Sequence, residues 1–180
     1  ECLAMHIEEK IEHDIDPQLQ DEITRLRNDC FPEDSKERSY FKQLPHFRFL
    51  AFEDEILVGQ MGIDHRMISV GNSVFSIFGV IDLCIATSYR NRGIASELLE
   101  QLSALASEKG IDFLFLVADD HRLYQKNGFQ FISTDLTWLK IDEHINYGVG
   151  RERFENELMV KQTGKKIWPD GPVDLLGYLF

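Results

Sequence analysis

The sequence has no long hydrophobic run. Its 180 residues contain no apolar stretch close to the roughly 18 residues that a membrane-spanning helix needs. They also contain no stretch with the charged and apolar regions of a signal peptide. We therefore predict no membrane partner. Internal repeats and low-complexity tracts are missing as well, which argues for an ordinary globular chain.

Cysteine is scarce. There are three, Cys2, Cys30 and Cys84, and their odd number, wide spacing and lack of a Cys-x-x-Cys pair argue against a disulfide framework. No zinc-binding pattern occurs either, so we predict reduced thiols, a cytoplasmic location and no metal. Cys84 lies in an apolar stretch and is predicted to be a core residue.

Positive charge is also in short supply. The chain has 19 basic and 31 acidic residues, for a net charge of −12. Such a surface repels nucleic acid and anionic membranes, so we predict no nucleic-acid partner. It favours cationic small molecules, including amines, although solubility alone also explains it.

The length and the hydrophobic fraction of 43% predict a single domain over residues 1–180. Glu1–Ala4 precede Met5, which is the candidate natural start, so these four residues are a candidate non-native leader.

One stretch organises the chain. Val80–Ala86 is almost entirely apolar, with one interruption at Asp82, and predicts a strand covered on both faces. From residue 94 the apolar period becomes helical, and Lys109-Gly110 is a plausible helix end. The helical stripe comprises Ile94, Ala95, Leu98, Leu99, Leu102, Leu105 and Ala106.

The loop between this strand and helix carries the chemistry. Arg90-x-x-Gly93-x-Ala95 places two arginines and two small residues at the mouth of a helix. The first turn of a helix has unpaired N–H groups and a partial positive charge, and a small residue lets a phosphate approach that backbone. The residues alone predict an anion site. The alternative is an ordinary strand–helix turn with solvated arginines.

Two motifs in this order resemble the GCN5-related N-acetyltransferase (GNAT) superfamily. Arg90-x-x-Gly93-x-Ala95 is similar to its acetyl-CoA pyrophosphate motif, and Leu123–Phe129 is similar to its short helix that carries a Tyr and ends in Gly-Phe. The likeness covers roughly Phe47 to Trp138. It implies an α/β fold with a central mixed, mostly antiparallel sheet flanked by helices, acetyl-CoA (coenzyme A) as cofactor, and a possible homodimer.

The resemblance also implies site residues. Tyr124 becomes the candidate acid for the leaving thiolate, with aromatic packing as the alternative. Asp82 becomes the candidate base, with a hydrogen bond to nearby backbone as the alternative. His46 and His65 are weaker candidates for the base, since surface or packing roles explain both. The implied cofactor-binding residues are Leu83, Cys84, Ile85, Arg90, Asn91, Arg92, Gly93, Ile94, Ala95 and Ser96.

Further elements follow from local patterns. Gly59 and Gly62 suggest a bulge or a close backbone approach. We expect the ligand at the carboxyl end of the strand that precedes the Arg90–Ala95 loop, opposite the start of the Tyr124 helix. The predicted strands are Met5–His13 at an edge, Phe47–Phe52, Ile56 to about Val70, Ser73–Ala86, Phe113–Val117, a closing pair at Phe129–Ser133 and Leu136–Ile141, and Leu158–Lys161. The predicted helices are Asp16 to about Cys30, a short one from Asp34 or Ser35 to Lys42, and one capped by Asp119 or Asp120. Residues 142–157 are polar and poorly periodic.

The chain ends in an apolar segment, Ile167–Phe180, which we expect to fold back with residues 158–166 onto the domain. Its Trp-Pro-x-Gly-x-x-Asp pattern is similar to the end of nodulation N-acyltransferases, and some aminoglycoside N-acetyltransferases end in a comparable tail. This resemblance makes three groups candidates for lining the acceptor pocket: Trp168, Asp174 and the terminal carboxylate of Phe180. The other wall candidates are Phe31, Tyr40 and Phe41. Simple packing is the alternative for all six.

Together these features predict an N-acetyltransferase that moves the acetyl group of acetyl-CoA to a primary amine of a small molecule by direct attack. An aminoglycoside or an amino sugar is the candidate acceptor. The alternatives are an N-acyltransferase with a longer acyl donor and a non-catalytic acyl-CoA-binding or sensor domain.

Overall fold

The structure is a computed structural model that describes residues 5–118 and 120–180. Predictions that concern the leader Glu1–Ala4, Cys2 and a cap at Asp119 lie outside the described residues. The helices are α1 (Pro17–Cys30), α2 (Ile94–Glu108) and α3 (His121–Lys126). The strands are β1 (His6–Ile11), β2 (Phe47–Glu53), β3 (Ile56–Val70), β4 (Ser73–Ile85), β5 (Phe113–Val117), β6 (Gln130–Asp142), β7 (Ile145–Gln162) and β8 (Val173–Tyr178).

The strands form one mixed sheet in the order β1-β2-β3-β4-β5-β7-β6-β8. The pairs β1–β2, β2–β3, β5–β7, β6–β7 and β3–β8 are antiparallel, whereas β4–β5 and β6–β8 are parallel. The predicted fold class, a mixed and mostly antiparallel sheet with helices, is therefore confirmed. No helix of the described chain is long and apolar enough to span a membrane.

Residue contacts divide the chain into two compact units. Unit 1 comprises the described residues of Glu1–Asp64 and Ile81–Leu99, and unit 2 comprises His65–Val80 and Glu100–Phe180. β3, β4 and α2 continue from one unit into the other along the chain.

In unit 1, α1 begins where the sequence predicts. The Asp16 carboxylate accepts a hydrogen bond from Leu19 N at 2.8 Å, and Pro17 occupies the first turn, where its missing N–H costs nothing. Ile23 and Leu26 face inwards because they share one side of the helix. They pack in a core cluster with Ile15, Leu50, Phe52, Leu57 and Cys84.

The two glycines of β3 mark close approaches, as predicted. A Cβ on Gly59 would lie 2.7 Å from Ile85 Cδ1, and one on Gly62 would lie 3.3 Å from the Pro45 ring. The β2–β3 register also shifts between Ala51 and Phe52, opposite this part of β3. A side chain at either position would require Ile85 or Pro45 to shift, which favours glycine here.

The predicted helix from Asp34 or Ser35 to Lys42 is wrong. A short 3₁₀ turn covers Pro32–Asp34, and residues 35–46 have no regular structure. Side chains occupy the backbone groups that a helix would pair. Arg38 donates to the carbonyls of Tyr40 (3.1 Å) and Phe41 (2.6 Å). The Asn28 amide bonds both backbone groups of Lys36, an arrangement that competes with helix formation.

Unit 2 has an aromatic core, and the C-terminal segment is part of it. Trp168 packs on Phe75, Phe113 and Phe115, with ring centroids 5.2–6.2 Å apart. β8 pairs with β6 and with the end of β3. The C-terminal segment therefore packs within unit 2.

Two strand predictions near the C-terminus are wrong. The closing pair is one strand, β6, whose register shifts between Ile132 and Thr134. Thr134 is buried and donates to the Gly171 carbonyl at 3.0 Å, which compensates for the lost regularity. The polar stretch 142–157 belongs mostly to the 18-residue strand β7, which pairs with β6 through a turn at Glu143 and His144. Its outer half is exposed on both faces, so no alternation marks it.

Candidate active site

The loop that follows β4 is held by its own backbone and by one arginine. Ala86 N donates to the Val58 carbonyl at 2.8 Å, which ends the strand, and Thr87–Tyr89 forms a 3₁₀ turn. The Arg90 Nε donates to the Ile85 carbonyl at 3.0 Å. The guanidinium thereby ties the loop to the strand end.

Gly93 opens helix α2. It has a φ of +80° and its carbonyl accepts from Glu97 N at 3.0 Å, the first helical hydrogen bond. A Cβ built on Gly93 would meet no atom within 4 Å. The space in front of the first N–H groups of α2 is therefore open, and these groups carry the positive end of the helix dipole. This cradle fits a phosphate of the kind that coenzyme A carries.

The two arginines of the loop have different surroundings. Arg92 is 54% exposed, lies 3.6 Å from the Glu53 carboxylate and stacks on the Tyr89 ring at 4.9 Å. Arg90 uses its Nε on the loop backbone instead. Both arginines are exposed, and the phosphate contacts expected of them remain a prediction.

Asp82 interrupts β4 with a φ of +52°, a conformation that breaks the strand's regular pleat. Its carboxylate accepts from Arg27 Nε at 2.6 Å, and the Arg27 side chain is only 2% exposed. The Asp82 carbonyl accepts from the Gln60 amide. The sequence did not suggest Arg27 as the partner of Asp82. Arg27 lies next to the apolar stripe of α1, however, and this position was a signal that its side chain is buried.

Two thiols lie beside the segment Leu83–Ile85. Cys30 Sγ donates to the Ile85 carbonyl at 3.4 Å, and Cys84 is buried, as predicted. The hydrogen bond from Cys84 and the nearby Arg90 guanidinium lower the pKa of Cys30 to about 7, whereas that bond and burial raise the pKa of Cys84. Because the Ile85 carbonyl already accepts from Cys30 and Arg90, a cofactor arm along this segment would have to pair with other backbone groups.

In unit 2, Tyr124 lies on the short helix α3. Asp120 caps that helix by accepting from Arg122 N at 3.2 Å, so the second of the two predicted caps is found. The Tyr124 carbonyl accepts from Asn127 N and Phe129 N, both at 3.0 Å, which closes the helix at the Gly-Phe motif. The Tyr124 ring packs edge-on against Phe129, with centroids 5.7 Å apart. The residue remains partly exposed, and its role as an acid stays a prediction.

The aromatic wall candidates of unit 1 are surrounded by cations. Phe41 has the Arg27 guanidinium 5.7 Å and the Lys36 ammonium 5.0 Å from its ring centroid. Arg27 also lies over Phe31, and Arg38 lies over Tyr40. Whether these rings line an acceptor pocket stays a prediction, as it does for Trp168, Asp174 and Phe180.

The weaker histidine candidates differ sharply. His65 packs edge-on against Phe78, with centroids 5.3 Å apart. His46 Nδ1 lies 3.3 Å from the Asp64 carboxylate, and the His46 side chain is 59% exposed while Asp64 is 3% exposed. The buried acid in an apolar strand is a signal in the sequence, but nothing there pairs it with His46, which lies 18 positions away.

A family profile described as "Acetyltransferase (GNAT) domain" matches residues 14–132, which include the loop, α2 and α3. The chain therefore belongs to the acetyltransferase (GNAT) domain family. The predicted superfamily is confirmed, whereas the resemblance of the C-terminal segment to nodulation and aminoglycoside enzymes remains a prediction.

Solved structures share the fold. A GNAT family acetyltransferase from Brucella melitensis, solved with acetyl-CoA, is 17% identical with a TM-score of 0.60, and the match covers 95% of each chain. The YhbS N-acetyltransferase of Escherichia coli, solved with CoA, is 17% identical with a TM-score of 0.60, and the match covers 95% of this chain and 90% of that one.

Some similar structures belong to much longer chains. A probable N-acyltransferase from Enterococcus faecalis V583 is 13% identical with a TM-score of 0.57, over 71% of this chain but 32% of that one. This chain thus matches about a third of the length of several proteins with its fold.

Proposed function

We propose that this chain is an acetyl-CoA-dependent N-acetyltransferase that acts on a primary amine of a small molecule. The observation that carries the proposal is the open cradle at Gly93, where a positive φ and the mouth of α2 leave room for a phosphate. Membership in the acetyltransferase family supports it. The bound acetyl-CoA and CoA of the Brucella and E. coli structures support the choice of cofactor.

In this proposal, the loop holds the pyrophosphate of acetyl-CoA. The backbone N–H groups at the start of α2 donate to it, and Arg92 adds a charge-assisted contact. Arg90 orients the loop through the Ile85 carbonyl. The remaining members of the binding segment are Leu83, Cys84, Asn91, Ile94, Ala95 and Ser96.

The transfer joins the amine nitrogen to the acetyl carbon and breaks the carbon–sulfur bond of the thioester. Tyr124 donates a proton to the departing thiolate, because a Tyr hydroxyl remains protonated at neutral pH. Asp82 is a weaker candidate for the base than the sequence suggested. Protonating it would leave the buried Arg27 guanidinium without its counter-charge, which is costly.

The acceptor is the finer part of the proposal. The net charge of −12 favours a cationic amine by long-range attraction. An aminoglycoside and an amino sugar are therefore the first acceptors to test.

Calorimetric titration of acetyl-CoA tests the cofactor site. Gly93→Asp places a side chain and a like charge in the cradle, and we expect it to weaken binding at least about 100-fold, since a lost phosphate contact and a new repulsion add up. Gly110→Asp is the matched control. Gly110 lies just beyond the other end of α2, has a φ of +71° and also has nothing within 4 Å of a built Cβ. Equal affinities of the two variants, or no binding by the parent chain, would contradict the proposal.

A second assay separates catalysis from binding. Tyr124→Phe removes the hydroxyl alone, so we expect acetyl-CoA affinity to persist while turnover falls by about 10²-fold or more, the range for loss of a general acid. Kanamycin and glucosamine serve as acceptors. A parent chain that binds acetyl-CoA and acetylates neither amine nor any other in a primary-amine panel would favour a binding module over an enzyme.

A further inference from the structure

Unit 1 contains a histidine–carboxylate pair next to the strand break at Asp82. Asp64 is buried near the middle of β3, where Met61 and Ile63 are fully buried apolar neighbours. Its carboxylate lies 3.3 Å from Nδ1 of His46, whose side chain is 59% exposed. One ring nitrogen therefore faces a buried charge, while the ring as a whole remains accessible.

The contact between His46 and Asp64 is not needed to hold the backbone of His46 in place. The backbone of His46 is already fixed on both sides, because its N–H donates to the Ile63 carbonyl at 3.0 Å and its carbonyl accepts from Glu12 N at 3.1 Å. Burying a carboxylate is costly unless it is paired. A carboxylate 3.3 Å from Nδ1 favours the tautomer of His46 that carries its proton on that nitrogen.

The pair lies near Asp82 in the packing of unit 1. A Cβ built on Gly62 would lie 3.3 Å from Pro45 and 3.5 Å from the Ile81 carbonyl. Pro45, which precedes His46, and Ile81, which precedes Asp82, therefore both lie next to Gly62. The pair thus lies beside the part of β4 whose own carboxylate is engaged by Arg27.

We propose that His46 is the general base of the acetyl transfer and that Asp64 is its positioning residue. This inference rests on the proposed function. Nε2 of His46 accepts a proton from the acceptor ammonium, and the resulting amine lone pair forms the new bond to the acetyl carbon. The carbon–sulfur bond breaks, and the thiolate is protonated by the acid of the site. The second proton lost by the nitrogen restores that acid, and His46 passes its proton to solvent, so one proton is released per transfer.

The role requires one tautomer. Neutral His46 must hold its proton on Nδ1, donating to Asp64, so that the Nε2 lone pair is available. An imidazole without such a partner prefers the proton on Nε2, which would leave no base on the exposed side. The tautomer therefore distinguishes a positioned base from an ordinary surface histidine.

Long-range ¹⁵N–¹H spectra of the histidine rings measure this without any substrate. We expect His46 in the Nδ1–H form in the parent chain and in the Nε2–H form in Asp64→Leu. His13 is the internal control. Its Nδ1 lies 3.2 Å from Asp14, but both side chains are largely exposed, so water competes for the contact. An unchanged His121 signal reports that the variant is folded, because that ring packs edge-on against Phe131 with centroids 4.2 Å apart. A parent His46 in the Nε2–H form overturns the proposal.

Kinetics give the second readout, with acetyl-CoA and kanamycin or glucosamine. We expect His46→Ala to lower turnover by about 10²-fold or more, the usual contribution of a general base. Acetyl-CoA affinity should stay unchanged, and added imidazole should restore part of the rate. His13→Ala should keep the parent rate. Full turnover in His46→Ala overturns the proposal. A parent chain without acetyl-CoA binding overturns the proposed function instead, and the tautomer measurement then decides the histidine pair by itself.

Discussion

The two units bury different kinds of side chain. Of the described polar or charged residues that are buried, Glu12, Arg27, Ser39, Arg48, Gln60 and Asp64 belong to unit 1, whereas Asp112 and Thr134 belong to unit 2. Unit 2 instead buries aromatic rings around Trp168. Unit 1 therefore concentrates buried charge, and unit 2 concentrates buried aromatic rings.

This difference indicates that different interactions stabilise the two units. Aromatic packing stabilises through area removed from water and needs no partner charges. Buried charges stabilise little by themselves and require mutual pairing. In unit 1, two of the buried polar or charged groups bind Asp82 at the strand break, because Arg27 donates to its carboxylate and Gln60 donates to its carbonyl.

The largest expected effect is in unit 1, at Arg48. Its guanidinium donates to both Glu12 carboxylate oxygens at 2.7 and 3.0 Å and to the Gln60 side chain at 3.0 Å. Arg48→Met leaves the buried Glu12 carboxylate, which is 8% exposed, without its counter-charge, with only the Gln20 amide donating to it among the other described side chains. We expect the free energy of unfolding to fall by about 3–5 kcal/mol, measured by urea denaturation.

The control for Arg48 is an arginine with a similar bond at the surface. Arg153 Nε donates to Glu155 at 2.9 Å, but the Arg153 side chain is 52% exposed. Arg153→Met should therefore leave the urea midpoint unchanged, since water screens the pair. Equal losses in the two variants would mean that burial is not what makes the unit 1 network costly to break.

A smaller effect tests the packing of unit 2. A Cβ on Gly79 would overlap the Phe180 ring, which itself packs on Phe115. Gly79→Ala should cost about 1–3 kcal/mol by overpacking. In a Phe180→Ala background the same substitution should cost less, because the clashing ring is gone. Strictly additive losses in this double-mutant cycle, measured by thermal or urea unfolding, would contradict the docked position of the terminal residue.

The smallest effect concerns reactivity rather than stability. In a Cys2→Ser background, the rate of Cys30 alkylation by iodoacetamide should rise with pH around a midpoint of about 7, because only the thiolate reacts. Cys84→Ala removes the thiol hydrogen bond that is the main cause of the lowered pKa, so the midpoint should move up towards the usual range of a thiol. A Cys30 midpoint that already lies in that range in the Cys2→Ser chain would show that unit 1 does not stabilise this thiolate.

Much of the fold follows from local sequence signals. The cap at Asp16, the glycines of β3 and the apolar run of β5 each predict their element, because the local preference and the final packing agree. In the segment from Asp34 to Lys42, the local preference and the final packing disagree. Its residues carry a helical pattern, but Arg38 and Asn28 bind the backbone that a helix needs, and these bonds depend on the folded chain. β7 was missed because pairing with β6, rather than burial, decides its outer half.

The candidate site also has local features, which the sequence predicts, and non-local contacts, which it does not. The open glycine at the mouth of α2 is a local feature, so the motif predicted it. The partners of Asp82 and His46 are not local, because Arg27 lies 55 residues from Asp82 and Asp64 is on another strand. The sequence indicates that Arg27 and Asp64 lie beside apolar positions, but it does not indicate which residue each of them contacts.

The most direct test of the central claim is hydrogen–deuterium exchange with and without saturating acetyl-CoA. We expect slower exchange in peptides that cover residues 83–96, where the loop and the start of α2 would donate to the cofactor, and no change in peptides 162–170 around Trp168. Protection confined to 162–170, or none in 83–96 at a concentration where calorimetry reports binding, would contradict the assignment of the cofactor site to unit 1.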